Sequence, residues 1–349
     1  MTNSPYNFVS DERLEQLQSW LAAQGYRTDT LAPLSADAGF RRYFRLQTDS
    51  GTRVAVDAPP EYEDCKAFVD IANQLRNCGL LTPTVHCYNL EKGFMLLSDL
   101  GSQHLQDVAS PSDTESAQPF YLRAIDTLIT MQSQAPSDNL PAYSADFLHQ
   151  ELSLFPQWYL GRHLNYKCST AEKKQIQLCF DRCIASACEQ PQVFVHRDYH
   201  CRNLMIQPDN EIAVIDFQGA LRGPITYDLV SLLRDAYVEW PETFLQPLLD
   251  QHYDSLKKTL SQVNSSNSGG MPDRQQYQQW FDLTGLQRHL KILGIFSRLH
   301  YRDGKSHYLD SIPLVQKHVV DVCSKYPELS ALEDLLLKFM QKQTPAGAG

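Results

Sequence analysis

Apolar residues recur three and four positions apart over residues 10–24, where Leu14, Leu17, Trp20 and Leu21 predict an amphipathic helix behind an N-cap at Ser10. The pattern then shortens. Residues 31–34, 40–46 and 52–56 read as strands, the last two joined by the turn Asp49-Ser50-Gly51. A helix over 62–78 places Phe68, Ile71, Ala72 and Leu75 on one face. Strands at 84–90 and 94–97 flank the turn Glu91-Lys92-Gly93. These segments predict an antiparallel sheet with one helix inserted after its third strand. Residues 107–119 are polar, and beyond them helical spacing dominates at 120–134, 145–159, 170–189, 226–237, 241–258, 274–300 and 314–324. Three short strands, 193–195, 204–206 and 212–215, interrupt the helices. The last two are separated by Pro208-Asp209-Asn210. Residues 264–270 have a flexible-loop composition, and 344–349 read as a frayed tail.

Composition narrows the classes. The 349 residues, 42% hydrophobic, are enough for a sizeable core and set a prior of two lobes or domains. No run approaches the ~20 apolar residues of a membrane span. Asp11 and Glu12 near the start, with no apolar stretch before Leu14, argue against a secretory signal. A net charge of −10 excludes a general nucleic-acid footprint, so an anionic ligand requires a local basic site. Nine cysteines without a CxxC pair read as reduced thiols of a cytoplasmic protein.

The strongest chemical signal is His196-Arg197-Asp198-Tyr199-His200-Cys201-Arg202-Asn203, followed by Ile215-Asp216-Phe217. Phosphoryl transfer from ATP needs one carboxylate to orient the attacking hydroxyl and accept its proton. It also needs oxygen ligands for Mg²⁺, because charge spreads over the phosphate oxygens in the transition state. Asp198 fits the base, and Asn203 and Asp216 fit the metal ligands. His196 fits a packing residue of the loop that carries Asp198 and Asn203.

On these motifs the chain resembles the aminoglycoside phosphotransferase and choline kinase superfamily. It is closest to the bacterial N-acetylmuramate/N-acetylglucosamine anomeric kinases, which it resembles in Ala38-Gly39-Phe40-Arg41-Arg42-Tyr43-Phe44-Arg45, Asp57-Ala58-Pro59-Pro60, Asp216-Phe217-Gln218-Gly219-Ala220 and Thr226-Tyr227-Asp228. The resemblance implies an α+β, protein-kinase-like two-lobe fold. Its small antiparallel-sheet N-lobe would span 1–100, its larger, mostly helical C-lobe 101–343, with 344–349 as the tail. It also implies ATP and Mg²⁺ as cofactors and transfer to the anomeric hydroxyl of N-acetylmuramate or N-acetylglucosamine in peptidoglycan recycling. The partners would be a small amino sugar and ATP, with neither nucleic acid nor membrane. In kinase-like folds an acid at the place of Asp228, four residues after Pro224, fastens the catalytic loop from below, which is the role expected here.

One departure is informative. Val54-Ala55-Val56-Asp57 stands where kinases carry a phosphate-binding lysine, and the lysine position holds Asp57. Three arginines lie close by; Arg42 shares a strand face with Phe44, while Arg41 and Arg45 take the other. Arg42 or Arg45 is the expected replacement, with Asp57 orienting it and Gly39 as a weak phosphate-loop signal. Glu63 resembles the partner of the missing lysine. The adenine contacts are expected from Ser98 C=O and Leu100 N–H. The sugar contacts are expected from His200, Arg202, Gln218 and Arg288. Two rival readings stay open: a kinase of an aminoglycoside, amino alcohol or other hexose, and a non-catalytic nucleotide-binding regulator.

Overall fold

A computed structural model describes residues 11–36, 40–263 and 272–343. The chain divides into two compact units. One comprises the described residues up to Ser102 together with Ala213–Gln218, and the other Gln103–Ile212 with the described residues from Gly219 onward.

The first unit is a five-stranded antiparallel sheet in the order β1-β2-β3-β5-β4. Its strands are β1 (Ala32–Ala36), β2 (Arg42–Thr48), β3 (Gly51–Asp57), β4 (Val85–Asn89) and β5 (Phe94–Ser98). The β2–β3 hairpin closes at Thr48↔Gly51 and sets Arg42 opposite Asp57. Helix α1 (Glu12–Ala23) is capped by Asp11, whose side chain accepts from Leu14 N–H; the cap expected at Ser10 lies outside the described residues. Leu17, Trp20 and Leu21 of α1 bury against Phe44, Leu46, Ala55, Phe94 and Leu96. That fixes which face of β2 is inward on this side, because a strand alternates with period two. Helix α2 (Cys65–Asn77) starts behind Asp64, whose carboxylate accepts from Ala67 N–H at 2.9 Å. Ala213–Gln218 joins this unit through Val214 N–H to Leu81 O at 2.8 Å.

The second unit is helical: α3 (Thr114–Gln134), α4 (Ala145–Leu152), α5 (Thr170–Glu189), α6 (Tyr227–Leu233), α7 (Glu242–Val263), α8 (Arg274–Asp303), α9 (Ile312–Cys323) and α10 (Ser330–Gln343). Helix α8 is its axis, buried along most of its length from Tyr277 to Ser297. The single helix expected over 145–159 is instead two pieces. Helix α4 ends at Leu152, and a π-helix runs Phe155–His163 with Pro156 in its first turn, where a missing N–H is tolerated. Gly294 lets α8 meet this junction, since a Cβ there would lie 2.5 Å from the Leu154 carbonyl carbon. Strands β6 (Gln192–Val195) and β9 (Leu221–Pro224) pair antiparallel. Strand β9 and helix α10 are not among the elements that the hydrophobic pattern predicts. A further short strand is β7 (Leu204–Ile206), while β8 (Ile212–Val214) runs into the Ala213–Gln218 segment of the first unit. Among the described residues no helix is long and apolar enough to cross a membrane.

Candidate active site

In the helical unit the loop of residues 196–203 leaves the end of β6, where Val195 pairs with Leu221 of β9. Asp228, fully buried in the first turn of α6, accepts both His196 N–H (2.6 Å) and Arg197 N–H (3.0 Å). Burial disfavours its charge and pushes its carboxyl up to about 6, although His196 and the two backbone donors oppose the shift. The loop then folds on itself. Asp198 N–H donates to His196 Nδ1 (3.2 Å), while Asp198 O accepts from His200 N–H (3.0 Å) and Asn203 Nδ2 (2.9 Å). Tyr199 is buried and donates its hydroxyl to Ala124 O (2.7 Å), and Cys201 N–H donates to Asp235 (3.2 Å). Arg197 takes a φ of +78°, a conformation that costs a non-glycine residue about 1–3 kcal/mol and so needs outside support. That support is specific: Arg288 donates to its carbonyl (2.8 Å), and its guanidinium pairs with Glu151 (2.8 Å).

Asp198 itself is half exposed, with its carboxylate 4.0 Å from Arg288. Desolvation works against its charge, but Arg288 first, then Lys291, His200 and Arg197, outweigh it and hold the carboxyl at about 2. Helix α8 supplies Arg288 and Lys291 three residues apart, hence on one face. Lys291 pairs with Glu151 (3.0 Å) and donates to Tyr227 Oη (3.1 Å); the Tyr143 hydroxyl bonds the other Glu151 oxygen. Burial disfavours the Glu151 charge, yet Lys291 and Arg197 more than compensate and hold its carboxyl below the usual range.

In the sheet unit Asp216 has a φ of +64° and accepts from Gln218 Nε2 (2.6 Å). Phe217 packs on Phe68 of α2, with ring centroids 4.9 Å apart. Arg42 bonds Asp57 (2.9 Å) and Asp11, and Asp57 also takes Arg13 of α1 (2.8 Å). Arg45 binds Asp99 through two nitrogens (2.6 and 2.9 Å) and the Gly101 carbonyl (2.9 Å). Arg41 pairs with Glu63 at 2.9 Å.

The loop of residues 196–203 and the Asp216-Phe217 pair both lie within the segment that one family model matches. This is the phosphotransferase enzyme family, matched over residues 30–258. The chain belongs to that family. It is 40% identical over 342 residues to the N-acetylmuramate/N-acetylglucosamine kinase of Pseudomonas aeruginosa, covering 95% of this chain and 98% of that protein. Against the kinase of the same name from Neisseria meningitidis it is 33% identical over 335 residues, covering 94% and 96%. Solved structures show the fold alone. A Plasmodium vivax ethanolamine kinase superposes with a TM-score of 0.60 at 10% identity, covering 91% of this chain and 92% of that one. Aminoglycoside phosphotransferase APH(2'')-Ib gives 0.56 at 13%, covering 89% and 99%. The protein is a phosphotransferase with the protein-kinase-like α+β fold.

Mg²⁺ is a hard ion bound through one or two protein oxygens plus substrate phosphates, and each unit carries one expected ligand of that kind. Asn203 turns its NH₂ to the Asp198 carbonyl, which aims its oxygen the other way, and Asp216 offers a carboxylate. Among the described residues no group of three His, Cys, Asp or Glu side chains could hold a metal. The predicted sugar residues fall in different surroundings. Arg288 lies beside Asp198. His200 packs edge-on to Tyr237, its Nδ1 buried without a hydrogen-bond partner. Arg202 stacks 3.5 Å over the same ring and donates to Gln106 (2.8 Å). Gln218 belongs to the sheet unit and bonds Asp216. Ser98 ends β5 with its N–H on Thr84 O (2.9 Å) and its hydroxyl accepting from Thr84 N–H (2.8 Å); Leu100 is two residues on, before Gly101 at φ +89°. Gly39 lies outside the described residues. Sequence reasoning missed Glu151, the hub of the loop's support; its one signal is an acid three residues after Leu148, on the buried face of α4.

Proposed function

We propose that this phosphotransferase uses ATP and Mg²⁺ to phosphorylate the anomeric hydroxyl of N-acetylmuramate or N-acetylglucosamine, acting in the cytoplasm in peptidoglycan recycling. The sugar assignment is supported by the two relatives of that name, matched over nearly their whole length. The observation that carries the chemistry is Asp198: ionised, half exposed and mounted on a loop whose backbone is bonded at almost every residue. A carboxyl at about 2 is a weak base, so it does not strip the hydroxyl beforehand. It orients the hydroxyl and accepts the proton as the oxygen loses electron density, which suits a loose phosphoryl-transfer transition state. An anomeric hydroxyl is more acidic than an ordinary alcohol and matches such a base. Asn203 and Asp216 would hold Mg²⁺, which when bound neutralises charge on the phosphates. Arg288, with its guanidinium 4.0 Å from the Asp198 carboxylate, is one sugar candidate, and His200 and Arg202 follow Asp198 on the same loop; Gln218, Ser98 and Leu100 are retained as proposed ligands.

The test is a panel of amino sugars, hexoses, amino alcohols and aminoglycosides with ATP and Mg²⁺, with the phosphorylated position read by NMR. Phosphate on a 6-hydroxyl or on an aminoglycoside would defeat the anomeric assignment. Asp198→Asn is expected to abolish turnover, by about 10²-fold or more, while leaving ATP binding intact. Near wild-type turnover would remove the base.

A further inference from the structure

Asp57 in the lysine position leaves the nucleotide phosphates without their usual cation, and three arginines compete to replace it. The sheet separates them by face. Arg42 and Asp57 are cross-strand partners on the side covered by α1, where Arg13 and Asp11 complete a network of two guanidiniums and two carboxylates. Both charges are spent there. Arg45 is held in a fork by Asp99 and the Gly101 carbonyl.

Arg41 differs in each respect. It precedes β2 by one residue, and alternation sends it to the face opposite Arg42. It is only 5% exposed, against 36% for Arg42 and 31% for Arg45. Its ion-pair partner is Glu63, two residues before α2, and its guanidinium lies 5.6 Å from the centroid of Phe68. Its Nε is buried without a hydrogen-bond partner. A buried guanidinium with an unmet N–H is expensive unless something else completes it, and the planar fork matches a phosphate. Phe68 packs on Phe217, the neighbour of Asp216, so one side of the sheet unit gathers the arginine, its glutamate and the proposed metal carboxylate.

We propose that Arg41, held by Glu63, is the guanidinium that binds the nucleotide phosphates in place of the missing lysine. The inference rests on the ATP-dependent kinase reading above. It also explains how an aspartate is tolerated in β3: Asp57 faces α1, neutralised by two arginines.

Isothermal titration with MgATP and with adenosine tests it on Arg41→Met, Arg41→Lys and Glu63→Gln. Loss of charged hydrogen bonds to phosphate is expected to weaken ATP binding roughly 10- to 100-fold in Arg41→Met, with adenosine binding unchanged. Arg41→Lys should recover part of the loss, and Glu63→Gln should show a smaller loss of the same kind. Unchanged ATP affinity would overturn the proposal, as would an equal loss for ATP and adenosine, which marks a merely structural role. Should Arg41→Met fail to fold, the ATP-to-adenosine ratio in the other two variants decides. N-acetylmuramate phosphorylation by the wild type is measured alongside. A wild type that binds ATP without phosphorylating the sugar defeats the acceptor assignment, and the ratio still decides on Arg41. A wild type without ATP affinity overturns both.

Discussion

Replacing Glu151 by Gln removes the carboxylate that Arg197 and Lys291 share. Glu151 and Lys291 are each under a tenth exposed, at 9% and 5%, so neither charge is rescued by water where it stands. Removing one partner of such a buried pair costs about 3–5 kcal/mol, mostly for the charge left behind. Lys291→Met should cost a similar amount, because Glu151 then keeps only Arg197 and Tyr143. In the double variant neither unpaired charge remains, and Arg197, whose side chain is already 24% exposed, can turn toward solvent. The double loss should therefore fall short of the sum by about 2–4 kcal/mol. Three of the four tryptophans, Trp158, Trp240 and Trp280, lie in the helical unit and report its unfolding. At a urea slope of about 2.5 kcal/mol/M, each single variant should lower the midpoint by about 1–2 M. Glu151→Gln should also reduce kcat more than it changes KM, because Glu151 supports the Arg197 backbone next to Asp198. Additivity within about 0.5 kcal/mol, or single shifts below about 1 kcal/mol, would refute the idea of a shared buried charge.

Gly294→Ala should destabilise the helical unit by about 2 kcal/mol or more, seen as a lower thermal midpoint, since its Cβ would meet Leu154 backbone at 2.5 Å. The Asp228 carboxyl, raised to about 6, predicts an acid limb in kcat near pH 6 as its protonation weakens two loop bonds; Asp228→Asn should lower kcat and flatten that limb. The same shift favours folding below about pH 4, where the unfolded group is also protonated. That contribution, on the order of 3 kcal/mol, is lost as pH rises through about 6, and a stability profile flat between 4 and 7 would contradict it. Alkylation followed by mass spectrometry should label exposed Cys188 and spare Cys201, which is fully buried and whose thiol is pushed up by burial and by Asp235.

What the sequence revealed depended on how far each interaction reaches. The β2–β3 hairpin was legible because alternation and the Asp49-Ser50-Gly51 turn are local, and the Arg42–Asp57 pair follows from its register. The faces of the sheet were not, since they depend on where α1 and α2 pack, and local pattern alone favours Arg42 and Arg45 over Arg41. The anchoring of the loop by Asp228 was accessible only through the resemblance to kinase-like folds, which place an acid there. The loop's support by Glu151 was not accessible, as that carboxylate lies 46 residues from Arg197 and meets it only through the packing of α4 and α8. Strand β9 was hidden because Leu-Arg-Gly-Pro has the composition of a turn and becomes a strand only beside β6. The break at Leu152 had a local signal in Pro156 that the apolar spacing of the flanking residues masked.

A net charge of −10 says little about the field at Asp198. Arg197, Arg288 and Lys291 converge there, yet each is bonded elsewhere: Arg197 to Glu151, Lys291 to Glu151 and Tyr227, Arg288 to the Arg197 carbonyl. The distinction is chemical. Cations in direct contact would hold Asp198 ionised but occupy the oxygens that must meet a hydroxyl. At 4.0 Å, Arg288 depresses the carboxyl through space and is too distant to form a hydrogen bond. The buried carboxylate of Glu151 makes that spacing possible, because it satisfies two of the three cations outside the reach of Asp198. The loop thus obtains a carboxylate that is both fully charged and open to a ligand, which neither an isolated surface aspartate nor a closed salt bridge would provide.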